Sequence, residues 1–263
     1  MTADEKLERI FVKTERAKKH LADLISLSKA FVASKPYTID VKRDQSRRPI
    51  YYVASIKPLP VEFQTIAADV IHNLRVALDH LARQLWLMGP DARPNIEFNF
   101  PIRNNARQYE DCLRGLVGSL RQDAIEVLRK VAPYKGGKGH DLWVLNRLNN
   151  IDKHRLLITV GASYGGFDVG QHLYDMMAKE PQLAGMPIPK LDYFAEPADK
   201  LCPLKVGDEL LADLPDADFQ NQQFRFFVSF NEPGVAEAEP IDALQRFGHY
   251  VTTTIVAFRD CLA

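Results

Sequence analysis

The run VEFQTIAADVIHNLRVALDHLARQLWLM, residues 61–88, decides how this chain reads. Ala67, Val70, Ile71, Leu74, Leu78, Leu81 and Leu85 recur at three- and four-residue steps. At about 100° per residue they share one arc, which predicts a long helix with one buried stripe. The opposite arc is unusual. It holds Asp69, His72, Asn73, Arg75, Asp79, His80 and Arg83, where a plain solvent face carries mostly Lys and Glu. His72, Arg75 and Asp79 stand at i, i+3 and i+7 and form one stripe, with Asn73 and His80 in a second beside it.

Upstream, residues 3–34 carry a similar apolar stripe from Leu7 to Leu27 and read as a second long helix. Pro36 stops it, because proline cannot continue a helix. Residues 37–42 alternate apolar and polar, and residues 49–57 supply a partner strand across a turn at 44–48. Downstream, GPDARP breaks the central helix and IEFNFPI, residues 96–102, is expected to be a short strand. Two short helices follow at 105–117 and 119–131, then a PYKGGKGH loop. A helix over 141–153 follows, with Asp141 as its N-cap. Residues 155–163 are β-rich and 161–189 irregular. Strands are expected in LDYFA, LKVGDELLAD and QFRFFVSFN, the last with Phe224, Phe226, Val228 and Phe230 on one face. Residues 242–262 form a closing helix despite threonines that lower its propensity. The expected architecture is one α+β domain over residues 1–263. In it a helical bundle with long N- and C-terminal helices is packed with a mainly antiparallel sheet.

Composition narrows the function. Lys plus Arg and Asp plus Glu both number 34, so a wholly basic nucleic-acid binder is not indicated. Charge is nonetheless uneven: residues 1–60 hold 13 basic and 7 acidic side chains, residues 196–243 hold 3 and 11. Cys112, Cys202 and Cys261 are scattered and form no metal-binding spacing. Reduced thiols, no evident signal peptide and no bilayer-length apolar run lead to the expectation of a cytoplasmic protein without a disulfide partner or membrane association. Nothing calls for a cofactor. A metal held by His72, Asp79, His80 and His154 is disfavoured, since His72 and His80 lie two turns and roughly 80° apart on one helix. GGKGH and YGGFDVG match no phosphate-binding pattern and read as loops. KRDQSRR, with Tyr51 and Tyr52 after it, could contact a nucleic-acid backbone but reads first as an exposed hairpin turn, and no GxSxG or HExxH occurs.

The second polar concentration is RLNNIDKHR, residues 147–155. Trp143, Val144, Leu148 and Ile151 define the apolar side of its helix. Arg147, Asn150 and His154 stand at i, i+3 and i+7 along the border of that side, while Asn146, Asn149 and Lys153 are placed further outward. Were this helix to pack on 61–88, the two polar edges would meet. Histidine, which titrates near 6.5, can exchange a proton with a hydroxyl at neutral pH. Arginine can grip phosphate oxygens and stabilise their growing charge. Those are the parts that RNA cleavage without a metal needs.

RVALDH, from Arg75 to His80, and RLNNIDKH, from Arg147 to His154, resemble the Arg-to-His motif of HEPN-domain proteins, with four and six residues between the pair. HEPN proteins often follow the arginine with a polar residue, where this chain has Val76 and Leu148. The resemblance spans two helices. It implies a helical, often dimeric protein that binds single-stranded RNA or cleaves it without metal, with Arg75, His80, Arg147 and His154 catalytic. His72, Asn73, Asp79, Asn150, Lys153 and Arg155 stand beside them as binding residues. HNLRVALDHL and LNNIDKHRLL are also similar to stretches of an uncharacterised bacterial family, a likeness that implies no activity. The competing expectation is a non-catalytic interaction protein whose polar stripes are structural. An enzyme needs these side chains converging in an open cleft; a structural role needs them buried and bonded.

Overall fold

The computed structural model describes the chain except Pro94 and residues 155–159, 184–185, 190–193, 196–203, 213–223 and 231–239. Among the described residues are seven α-helices and six strands, all strand pairs antiparallel, so the chain is α+β. Its contacts fall into two compact units. One comprises Met1–Leu27, Val61–Thr159 and Glu232–Ala263; the other comprises Ser28–Pro60 and Val160–Asn231.

The first unit is helical. It holds most of α1 (Ala3–Ala33), then α2 (Glu62–Leu87), α3 (Ala106–Leu116), α4 (Gln122–Val131), α5 (His140–His154) and α7 (Pro240–Ala257), with a 3-10 turn at Asp260–Leu262. Every apolar position assigned to the inner arc of α2 is buried. α2 packs against both α5 and α7, and α5 against α7. Leu244, Phe247, Val251 and Ile255 of α7 are buried at helical spacing. Thr252 satisfies its hydroxyl on the carbonyl of Gly248 at 2.8 Å, one way a helix accommodates threonine. The 3-10 turn is tied back to α1, where the buried Lys6 Nζ donates to the carbonyl of Leu262 at 2.7 Å.

Residues 96–102 differ from expectation: they form no strand. Pro101 cannot donate to a ladder, and three backbone groups of the segment pair with side chains of α2 instead. The Phe100 N–H donates to Asp79 Oδ1 at 3.0 Å. Its carbonyl accepts from Arg75 Nη2 at 3.4 Å, and the Ile96 carbonyl accepts from Arg83 Nη1 at 2.9 Å. Arg75, Asp79 and Arg83, at i, i+4 and i+8, thus act as the neighbouring strand that this segment lacks. It still buries Phe100 and Ile102.

The second unit contains two three-stranded sheets. β1 (Tyr37–Arg43) pairs with β2 (Pro49–Ile56), which pairs with β5 (Glu209–Ala212). In the other sheet β3 (Val160–Asp168) lies between β4 (Phe194–Ala195) and β6 (Phe224–Phe230). Val53, Leu204 and Leu210 form a small core against which Tyr37, Ile39, Phe224 and Phe226 pack. The rings of Tyr37 and Phe226 stand 4.2 Å apart. The hairpin turn falls at 44–48 as expected. There the Asp44 carboxylate accepts from the N–H groups of Ser46 and Arg48 and from Arg48 Nε, each at 2.8 Å. The bond from the Arg48 N–H leads in holding its carboxyl below the usual carboxylate range, with the Arg48 side chain and the Ser46 N–H adding to it.

Three further details correct the sequence reading. Residues 161–189 are not irregular throughout, because β3 runs to Asp168 and α6 (Val169–Lys179) follows it. The glycines there cluster before α6, and VGQHLYDMMAK has none after Gly170. α5 begins at His140, so Asp141 sits inside its first turn and pairs with Arg246 at 3.6 Å. Asn149, placed outward by the wheel, is 3% exposed.

Candidate functional site

The stripe Arg75–Asp79 on α2 is occupied by the fold. Arg75 is only 8% exposed, and each guanidinium nitrogen has a partner. Nε donates to Asn146 Oδ1 at 2.8 Å, Nη1 to Asp79 and Nη2 to the Phe100 carbonyl. This arginine touches α2, the 96–102 segment and α5 at once. Asn73, placed on the polar arc, is buried as well, and its amide donates to the Asp69 carbonyl at 2.8 Å. His72 and His80 are exposed. Across from α2, Asp152 of α5 has its carboxyl held above the ordinary range. Burial is the main cause; His72 opposes the rise and Asp69 adds to it.

The stripe on α5 is different. Asn104, Trp143, Asn146, Arg147, Asn150, Ile151 and His154 line one cleft of about 290 Å³. Arg147, Asn150 and His154 are exposed along it, as their i, i+3, i+7 spacing requires. Its floor is Trp143, whose indole Nε1 donates to Asn104 Oδ1 at 3.1 Å. Arg147 lies over the Trp143 ring at 5.8 Å and Lys135 at 5.6 Å, both within cation–π range. His140 stacks on the same ring at 5.4 Å, and its Nδ1 accepts from the Gly136 N–H at 3.1 Å.

The Gly-rich loop before α5 sets that geometry. A Cβ on Gly137 would stand 2.4 Å from the Ala132 carbonyl oxygen, and one on Gly139 2.7 Å from that of Val131. Only glycine allows the loop to fold back so closely on the end of α4. On the other side the Arg103 N–H donates to the Pro133 carbonyl at 3.2 Å, which pins residue 104 next to the loop. Asn105 caps α3 through the Gln108 N–H at 2.9 Å.

Of the residues proposed from sequence, the structure brings Arg147, Asn150 and His154 together in this cleft. Lys153 is exposed on α5 beside them, and Arg155 lies outside the described residues. Arg75 and Asp79 reach the cleft only through Asn146, and His72 and His80 do not line it. Asn104, Trp143, Asn146 and Lys135 were not among the proposed site residues. Their signal was weak: Asn104 sits in a loop, and an asparagine beside a motif arginine has no distinctive spacing. Among the described residues, no three His, Cys, Asp or Glu side chains gather to hold a metal ion. No described helix is long and apolar enough to cross a membrane. Cys112 and Cys261 are free thiols, and burial first of all pushes that of Cys261 up to about 11; Cys202 lies outside the described residues. No family model, no curated protein and no solved structure matches this chain.

Proposed function

We propose that this protein binds single-stranded RNA at the α5 cleft and cleaves it without a metal ion, as a HEPN-like protein would. The observation that supports this reading is the convergence of Arg147, Asn150 and His154 along one accessible cleft floored by Trp143. Arg147 supplies donors to a phosphodiester and charge for the pentavalent transition state. His154 takes the proton of a 2′-hydroxyl as that oxygen attacks phosphorus. The bond from phosphorus to the 5′-oxygen breaks, and the leaving oxygen takes a proton from water. A cyclic phosphate and a free 5′-hydroxyl result. Arg75 is left out of the reacting set because its nitrogens are committed to Asn146, Asp79 and Phe100. The HEPN resemblance also makes a homodimer part of this reading, which sedimentation equilibrium would test.

The burial of Arg75, with a protein partner on each guanidinium nitrogen, favours a second reading for that stripe: a non-catalytic interaction protein in which polar helix faces are structural. The deciding assay incubates the purified chain with several unstructured RNAs in EDTA. Cleavage lost in both Arg147→Ala and His154→Ala supports the enzyme reading. Absence of cleavage and of RNA binding by the unaltered protein would transfer the assignment to the interaction protein.

A further inference from the structure

We infer that Asn104 and Asn146 hold their side-chain amides in fixed orientations that make the α5 cleft a donor-rich pocket for a phosphoryl oxyanion. The inference deepens the RNA reading and rests on it only for the source of that phosphoryl group.

The orientations follow from the partners. An arginine Nε and an indole Nε1 are donors with no acceptor capacity. The Asn146 atom facing Arg75 Nε at 2.8 Å must therefore be its carbonyl oxygen. By the same argument the Asn104 atom facing Trp143 Nε1 at 3.1 Å is its oxygen. Neither amide can flip without setting N–H against N–H. Both asparagines line the cleft, so in each the NH2 is the group left to offer there. Arg147, whose guanidinium is a donor only, lines it too, and Asn150 and His154 complete the polar lining. Among the described residues that line it there is no carboxylate, and Lys135 stands over the Trp143 ring. A phosphoryl group, with acceptor oxygens and negative charge, matches that lining; a cation or a donor-rich ligand does not.

Arg75 acts in this pocket as a positioning residue. It touches no ligand but holds Asn146 from behind, and that gives a purpose to a cation buried behind α5.

The test uses the full chain and two probes, inorganic phosphate and an unstructured RNA oligonucleotide. In nitrogen-15 NMR spectra, phosphate should shift the side-chain NH2 signals of Asn104 and Asn146 along one saturable curve. Asn104→Asp and Asn146→Asp keep the oxygen that accepts from Trp143 and Arg75, so both should fold. Each replaces a donor with a charged acceptor and should weaken phosphate binding at least about tenfold. Phosphate that leaves both NH2 signals unmoved in the unaltered protein overturns the pocket, whatever the variants do. RNA bound equally by wild type and both Asp variants overturns the pocket and leaves the RNA reading standing. Phosphate seated on both amides with no RNA bound supports the pocket and removes the RNA reading.

Discussion

Helices α2 and α5 each carry an arginine followed a few residues later by a histidine, in a polar stripe that shares the helix with an apolar face. Yet the two stripes end in opposite states. On α2 the arginine, Asp79 and Arg83 meet a segment that has no strand beside it, and backbone groups absorb their hydrogen-bonding capacity. On α5 a glycine-rich loop folds away and leaves Arg147, Asn150 and His154 along a cleft. The difference comes from what the intervening chain lays across each helix. A polar stripe by itself is therefore a demand for partners, and the neighbouring chain decides whether it is buried or left exposed along a cleft.

The contrast breaks most visibly in activity. If RNA is the substrate, His154→Ala should cut the cleavage rate by about 10²–10⁴-fold. His80→Ala, off the cleft, should leave the rate within a few fold; equal losses in a single-turnover assay would erase the distinction between the helices. Next comes stability. Arg75→Ala leaves the Asp79 carboxylate with the Phe100 N–H but no cation and frees two more acceptors, so urea unfolding should show a loss of roughly 2–4 kcal/mol. His154→Ala should stay within about 0.5 kcal/mol. A near-neutral Arg75→Ala would mean that α2 is no more committed than α5. Arg83→Ala should cost about 1 kcal/mol, because one charged donor to the Ile96 carbonyl is lost near the surface.

The smallest effect tests the seam between the two helices by pH. The folded Asp152 carboxyl holds its proton to higher pH than its ordinary 3.8. Stability from this group therefore falls as pH rises through that raised value, and the penalty is absent below the ordinary one. Asp152→Asn should melt slightly higher than wild type at pH 7, by no more than about 0.5 kcal/mol, and equally below about pH 4. A variant less stable at pH 7 would show that the attraction to His72 outweighs burial.

The long helices were legible because Leu and Ile at three- and four-residue steps leave no other reading for residues 3–34 and 61–88. The hairpin was legible from its alternation and from Asp44 at the turn. Residues 96–102 were misread because IEFNFPI has the composition of a strand, while the partners it takes are side chains 13 to 25 residues earlier. The site divided likewise. Arg147, Asn150 and His154 share one helix face, so periodicity groups them. Asn104 joins them from 39 residues before Trp143, outside α5 altogether, and no local pattern encodes that approach. Burial of Arg75 was equally hidden, since a helical wheel records direction and not what covers it.

The tie between Lys6 and Leu262 spans 256 positions in sequence. It closes a unit built from three separate pieces of chain, with α7 seated on α2 and α5. Such a unit has a timetable as well as a shape. α1 through α5 can emerge from a ribosome and gain helical structure, but the apolar faces that α7 covers stay open until residues 232–263 are made. At synthesis rates of about 5–20 residues per second, that exposure lasts for seconds. During that interval the faces of α2 and α5 that α7 will cover are surfaces for a chaperone or for misassembly, and the closing contact is among the most non-local in the molecule.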